Sequence, residues 1–289
     1  MFANQNTVEE TKKKYAVLLE RLTELESVAV AFSGGVDSTF LLNAARDALG
    51  DKAVAFTVAA DFIPKRELTA AKEFCREKKI RQVVCHCEIA DVPNFRENPP
   101  ERCYWCKRKL LTQIISKARE MKLYHVIEGS NADDESDYRP GKRAIAELNV
   151  LSPLRAAGLS KSDIRILSRE KGLSVWNKPS SACLASRIPY GEEITPTKLD
   201  MVERAEDFLL TFGFCQVRVR AHGDLARLEI PPADFAKLFQ SELKNEVVCR
   251  LKELGFSYVT LDLQGYRIGS MNEVLKQTAS NRYTLSEKI

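Results

Sequence analysis

Apolar positions along the first half of the chain change their period repeatedly. Between residues 9 and 26, Tyr15, Leu18, Leu19, Leu22 and Leu25 recur at helical spacing, which predicts an amphipathic helix. The next run, VAVAF at 28–32, is short and unbroken, as a strand buried on both faces would be. A helix over 38–50 follows, ended by Gly50. Then come a strand over 53–59, a helix over 64–79 with Pro64 at its start, a strand over 81–89 and a helix over 105–122. Strands at 124–129 and 150–154 precede SKSDIRILSREKG, a helix capped by Ser160. Strands alternating with helices in this way predict an α/β domain: a parallel sheet covered on both faces.

The rhythm changes after NKPSSACLASRIPYGEEITP (177–196), which is rich in Pro, Ser and Gly. A helix over 197–211 leads to strands in CQVRVRAHG and LARLEI, a long helix over 232–254 and a strand in YVTLDL. That order, αββαβ, predicts a smaller open α+β domain. The boundary is expected near residue 188, dividing the chain into 1–188 and 189–289. The tail from about 274 reads as a partly docked helix.

Composition narrows the class. The 289 residues, 44% of them hydrophobic, can build one large core or two ordinary ones. Lys and Arg exceed Asp and Glu by 44 − 40 = 4, too small an excess to make nucleic acid the main partner. No apolar run approaches the roughly 20 residues of a membrane span, and the first residues carry no signal-peptide core, so a cytoplasmic protein is expected. The eight cysteines are mostly scattered singly outside one CxxC, which suggests thiol or metal chemistry rather than a disulfide framework.

The first chemical motif is SGGVDS, residues 33–38, between a buried strand and a helix. Gly34 and Gly35 allow close backbone approach, and the backbone N–H groups from Val36 onward, at the helix start, make an anion cradle. Ser33 and Ser38 add hydroxyl donors. The GK[ST] ending of a Walker loop is absent. Asp37 would repel a bare phosphate, so its expected route to phosphate is through Mg²⁺. The motif resembles the loop of the PP-loop ATP pyrophosphatases, a family that cleaves ATP between the α and β phosphates and adenylylates a substrate.

Further stretches narrow the resemblance: DFIPKRE (61–67), CYWC (103–106), EGSNADDESDYRPG (128–141), LSPLRAAGLSKSDIR (151–165), WNKPSSACLASRIPYG (176–191), RVRAHGDLARLEI (218–230) and GYRIGSMNE (265–273). Together they look like the ATP-dependent sulfur transferases that mature lactate racemase (the LarE type), over nearly the whole chain. The resemblance implies ATP and Mg²⁺ as cofactors and a pyridinium-3,5-dicarboxylate mononucleotide as substrate. Each ring carboxylate would be adenylylated and converted to a thiocarboxylate for the nickel-pincer nucleotide. It also implies that the cysteine of CLASR, Cys183, supplies or anchors the sulfur. Some relatives carry it alone and it is sacrificed, becoming dehydroalanine; others add a CxxC, and the three thiols hold a 4Fe–4S cluster. Cys103 and Cys106 with Cys183 would be such a set, and three thiolates leave one iron open for a transferable sulfide. A zinc site completed by His125 and a sacrificial Cys183 are the alternatives.

Other candidates follow. Trp105 either belongs to the core or stacks on a cationic pyridinium ring. Gly129 would lie against adenosine, with Asp133 or Asp134 near Mg²⁺. Arg187 would pair with a substrate phosphate or the adenylate. Arg218 and Arg220 alternate and share a strand face; with Arg227 they either hold the nucleotide phosphate or form a solvated edge. Cys85 and Cys87 read as buried thiols, and Cys75, Cys215 and Cys249 as core or surface residues. The expected partners are a small nucleotide, a second copy of the chain through the C-terminal domain, a sulfide donor and a nickel-inserting protein. A tRNA thiolase and an ammonia-using synthetase are the rival enzymes.

Overall fold

The structure is a computed structural model that describes residues 5–136, 140–179 and 181–275. It divides into two compact units, 1–95 with 99–181, and 96–98 with 182–289.

The first unit opens with α1 (Gln5–Glu24) and continues through β1 (Val28–Ala31), α2 (Val36–Leu49), β2 (Ala53–Ala59), α3 (Lys65–Glu77), β3 (Gln82–His86), α4 (Arg102–Glu120) and β4 (His125–Ile127). The strands lie in the order β3-β2-β1-β4, all parallel. The crossovers through α2 and α3 step in one direction, and the crossover through α4 steps back past β2 and β1. Right-handed crossovers then put α2 and α3 on one face and α4 on the other. Burial follows: every residue of β1 and β2 is buried except the last of each, which is half-buried. The expected strand at 150–154 reduces to a single bridge between Leu151 and Ile127. Pro153 has no N–H to give a ladder and instead begins a helix.

Three helices complete this unit: α5 (Gly141–Glu147), α6 (Pro153–Ala156) and α7 (Lys161–Glu170). Leu18 and Leu22 of α1, Phe40 and Leu41 of α2, Val28 and Val30 of β1, and Ile164 and Leu167 of α7 pack into one core. The start of α7 is fixed by a reciprocal cap. Asp163 N–H donates to Ser160 Oγ at 3.1 Å, and Ser160 N–H donates to Asp163 Oδ2 at 3.0 Å. From α1, Thr11 Oγ1 donates to Asp163 Oδ1 at 2.6 Å and Lys14 Nζ reaches Oδ2 at 3.1 Å.

The second unit contains α8 (Pro196–Thr211), β5 (Arg218–His222), β6 (Leu225–Glu229), α9 (Phe235–Leu238), α10 (Ser241–Glu253) and β7 (Tyr258–Leu261). Its sheet runs β5-β6-β7, with β5 and β6 antiparallel and β6 and β7 parallel. The expected helix over 232–254 is broken: Gln240 adopts φ −57°, ψ 128° and caps α10. Residues 182–188, expected at the end of the first domain, belong to this unit because Arg187 pairs with Glu206 of α8. Asn98 joins it by donating to the carbonyls of Ile188 and Pro189, at 3.1 and 2.6 Å. The tail helix expected from about 274 falls largely on residues 276–289, outside the described residues. Among the described residues no helix is long and apolar enough to cross a membrane.

Candidate active site

The order β3-β2-β1-β4 makes the β1/β4 boundary a switch point, where open α/β sheets bind ligands beyond the carboxyl ends of their strands. The loops there are Ser33–Ser38 after β1 and Glu128–Asp134 after β4. Gly34 has φ +73°, and a Cβ on it would come within 3.3 Å of the Glu67 carbonyl. Ser38 Oγ accepts from Ser33 N–H at 3.2 Å, donates to the Gly35 carbonyl at 3.2 Å and lies 3.0 Å from Ser33 Oγ. The loop is thus curled on itself, and the first N–H groups of α2, which have no partner within the helix, remain for an anion. Gly129 is explained locally: a Cβ there would sit 3.0 Å from Ser38 N, so the β4 loop presses its backbone onto the first turn of α2.

Asp37 lies in that turn. Lys161 Nζ, on the first residue of α7, meets both its oxygens at 2.8 and 2.7 Å. Asn131 Nδ2 donates to Oδ2 at 3.4 Å. Burial holds the Asp37 carboxyl above its ordinary value, helped by the Asp134 charge and opposed by Lys161 and Asn131. Asp133 turns elsewhere, accepting from Lys161 N–H at 2.8 Å. Asp134 is buried and accepts from Asn131 N–H at 3.0 Å. Lys178 Nζ donates to the Gly34 carbonyl at 3.2 Å and to Glu67 Oε2 at 2.7 Å. Neither lysine stands out in the sequence; both reach the loop through tertiary folding.

The CxxC occupies the first turn of α4, with Cys103 exposed and Cys106 half-buried. Three residues apart, the two share one helix face. Trp105 is half-buried and stands edge-on to Tyr104, with ring centroids 5.0 Å apart. Tyr104 is the core residue of the pair: its hydroxyl donates to Glu147 at 2.7 Å and Arg143 covers its ring at 3.6 Å. Lys107 Nζ reaches Glu128 Oε2 at 3.0 Å, tying this turn to the end of β4. Burial would raise the Glu128 carboxyl, yet Lys107, Ser152 and Ser130 hold it below its ordinary value. His125 opens β4, at the other end of the strand from Glu128, which removes it as a completing ligand for these thiols. Burial raises the thiols of Cys75, to about 12, Cys85, and Cys87, to about 11; they remain protonated and inert.

In the second unit, Cys183 is half-buried and caps the 3₁₀ turn Leu184–Arg187. Arg187 is fully buried. Its Nε and Nη2 pair with Glu206 Oε1 and Oε2, both at 2.8 Å. Its Nη1 donates to the carbonyls of Ala182 and Cys183 and to Ser186 Oγ, at 2.7, 3.0 and 3.0 Å. The residue expected to meet a substrate phosphate is instead a strut that shapes the Cys183 turn. Arg220 pairs with Glu229 at 3.0 and 2.8 Å and donates to Ser270 Oγ at 2.9 Å and to the Ser186 carbonyl. Arg227 shares Glu229 at 3.0 Å. Arg218 donates to the Val217 carbonyl at 2.7 Å and lies 5.3 Å from the centroid of the Tyr266 ring; burial, with Arg187 nearby, lowers its pKa. Arg218 and Arg220 are buried, so their strand face is not a solvated edge.

No family model matches the chain. It is 36% identical over 263 residues, 91% of its length and 95% of the relative's, to the pyridinium-3,5-bisthiocarboxylic acid mononucleotide synthase of Lactiplantibacillus plantarum. The chain belongs to that synthase family. An uncharacterised protein of Synechocystis is 42% identical over 252 residues, 87% of this chain and 94% of its own. One chain of the glutamine-hydrolysing GMP synthase of Thermoplasma acidophilum is 27% identical over 192 residues, 61% of each sequence, in keeping with the PP-loop superfamily and the parallel sheet.

Within this family of enzymes the first unit brings together Ser33, Gly34, Gly35, Val36, Asp37, Ser38, Gly129 and Asp134, and adds Lys161. Asp37, with Asp134 beside it, suits a magnesium ion held by one or two carboxylates and the nucleotide's own phosphates. α4 offers two thiols, and no group of three His, Cys, Asp or Glu side chains is gathered among the described residues.

Proposed function

We propose that this protein is an ATP-dependent sulfurtransferase acting on pyridinium-3,5-dicarboxylate mononucleotide. The observation that carries this reading is the strand–SGGVDS–helix cradle at the β1/β4 switch point, in a chain belonging to the bisthiocarboxylate synthase family. A carboxylate resists sulfur attack because its charge repels thiolate and oxide is a poor leaving group. In this reading a ring carboxylate oxygen attacks the α phosphorus of ATP, the bond to the β phosphate breaks, and pyrophosphate leaves onto the first turn of α2. The acyl adenylate has lost the carboxylate charge and carries AMP as leaving group. A sulfur nucleophile adds at its carbonyl and expels AMP, giving the thiocarboxylate. Asp37 and Asp134 would hold Mg²⁺, whose contribution when bound is to neutralise phosphate charge.

Sulfur reaches the adenylate by one of two routes, a sulfide carried on a cluster or the sulfur of Cys183 itself. By ligand count, Cys103, Cys106 and Cys183 together form a three-thiolate set for a 4Fe–4S cluster with one open iron. A second reading needs only one thiol: Cys183 Sγ itself attacks the adenylate. Loss of the Cα proton and rupture of the Cβ–S bond then leave dehydroalanine and the thiocarboxylate. Iron analysis after anaerobic purification and the intact protein mass after turnover separate the two. Bound iron that falls in each of the Cys103→Ala, Cys106→Ala and Cys183→Ala variants supports the cluster. An iron-free protein that loses one hydrogen sulfide and stops after one transfer supports sacrifice. The second unit is assigned substrate binding and self-association, since Leu263 and Ile268 are 83% and 86% exposed there. A sulfide donor and a nickel-inserting protein are the partners this reaction calls for.

A further inference from the structure

The cradle at SGGVDS works only while its peptides present N–H groups, because a carbonyl turned into it would repel phosphate. The peptide joining Gly34 to Gly35 is the one least restrained by its own residues: Gly34 sits at φ +73°, and two glycines in succession bring no Cβ to oppose rotation. In a trans peptide the C=O and N–H point in opposite directions, so whatever holds the Gly34 carbonyl also aims the Gly35 N–H. Lys178 holds it, its Nζ donating to that carbonyl at 3.2 Å. On the other edge of the peptide the Gly35 N–H reaches Ser33 Oγ at 3.4 Å, a long bond that an anion can replace. Gly34 is buried, Gly35 is half-buried and Ser33 is exposed, so the N–H edge is the one open to a ligand.

Lys178 is itself fixed at both ends. Its N–H donates to the Val175 carbonyl at 2.9 Å, and Pro179 behind it favours the extended backbone it adopts, φ −57°, ψ 131°. Its ammonium also donates to Glu67 Oε2 at 2.7 Å, and Glu67 is buried in the first turn of α3. A buried carboxylate thus keeps the ammonium on the Gly34 carbonyl.

We propose that Lys178 is a positioning residue of the phosphate loop: held by Glu67, it pins the Gly34 carbonyl and so turns the Gly35 N–H toward the departing pyrophosphate. It acts through the peptide and does not itself touch the phosphates. The proposal rests on the adenylylating reading of the site, and it gives the Glu67–Lys178 pair a task in that reaction rather than in holding the fold.

Calorimetric titrations of the full chain test it, with α,β-methylene ATP and Mg²⁺ in one series and adenosine, which has no phosphate, in the other. Lys178→Met should weaken the analogue by about tenfold, the usual loss with a charge-assisted hydrogen bond, and leave adenosine affinity unchanged. A merely structural lysine would weaken both ligands together. Glu67→Gln separates positioning from direct contact by sign. If Lys178 works through the Gly34 carbonyl, loosening its anchor weakens the analogue, though less than Lys178→Met does. If the ammonium met the phosphates itself, releasing it from Glu67 would tighten the analogue. A nuclear magnetic resonance spectrum gives the local signature: at saturating analogue the Gly35 amide proton should move downfield in the parent and stay near its free position in Lys178→Met. Unchanged analogue binding in Lys178→Met, an equal loss for adenosine, or tighter analogue binding in Glu67→Gln overturns the proposal; if Lys178→Met does not fold, the sign in Glu67→Gln decides. No pyridinium compound or sulfur source enters these titrations, so an error in the assigned substrate leaves the test intact. A parent protein that binds no nucleotide overturns the adenylylating reading as well.

Discussion

Replacing Arg187 with methionine separates a strut from a substrate ligand. Arg187 and Glu206 are both 0% exposed and face each other through two 2.8 Å contacts. Methionine fills much of the volume but removes the charge and the three bonds to Ala182, Cys183 and Ser186. Glu206 then stays buried without its guanidinium, although Val219 N–H still donates to it at 3.1 Å. Breaking such a pair from one side costs about 3–5 kcal/mol, a large share of a total stability of about 5–15 kcal/mol. The expected drop in melting temperature is roughly 10 °C. Urea unfolding should show a lower midpoint at unchanged slope. Adding Glu206→Gln should recover part of the loss, since no isolated charge remains. A single variant within about 1 kcal/mol of the parent, with only a raised KM for the nucleotide substrate, would refute the strut and restore direct phosphate pairing.

Two further outcomes follow from the first unit. Burial works against the charged Asp163 carboxylate, but hydrogen bonds from Thr11, Ser160 and Lys14 hold its pKa down to about 2 from an ordinary 3.8. A depressed folded-state pKa gives stability that is present above 3.8 and lost as pH falls toward 2. Asp163→Asn should therefore cost about 1–2 kcal/mol at neutral pH and flatten the acid limb of a urea-midpoint-against-pH curve; an unaltered limb would count against the clasp between α1 and α7. Gly129→Ala should drive a methyl group against Ser38 N, 3.0 Å away, displacing the first turn of α2 and cutting pyrophosphate release far more than it lowers the melting temperature. Parent-rate release would mean the two loops are not pressed together.

Much of this was legible in the sequence, for identifiable reasons. The apolar runs at 28–32 and 53–59 gave the central strands because a strand buried on both faces must be continuous. SGGVDS declared itself because glycines, hydroxyls and a helix start are local requirements of an anion cradle. Arg218 and Arg220 were ambiguous because what covers them is not local: Glu229 reaches Arg220 across the β5–β6 ladder, the Tyr266 ring lies near Arg218, and Glu206, the partner of Arg187, comes from α8. Alternation identifies a shared face but not what covers it. Lys161 was hidden for the same reason, since Ser160 and Asp163 explain its neighbourhood as a helix cap while its side chain acts on a residue more than a hundred positions away. Gly129 looked like a ligand contact, yet its close neighbour is protein backbone. The break at Gln240 had no glycine or proline to mark it.

The central claim is that this cradle adenylylates a pyridinium dicarboxylate. The most direct measurement is pyrophosphate release from MgATP with pyridinium-3,5-dicarboxylate mononucleotide present or absent, in the parent and in Asp37→Ala. Release that requires the pyridinium nucleotide and vanishes in Asp37→Ala, while that variant keeps the parent's melting curve, is the predicted result. Release indifferent to the pyridinium nucleotide, or persisting at the parent rate without the Asp37 carboxylate, would contradict it.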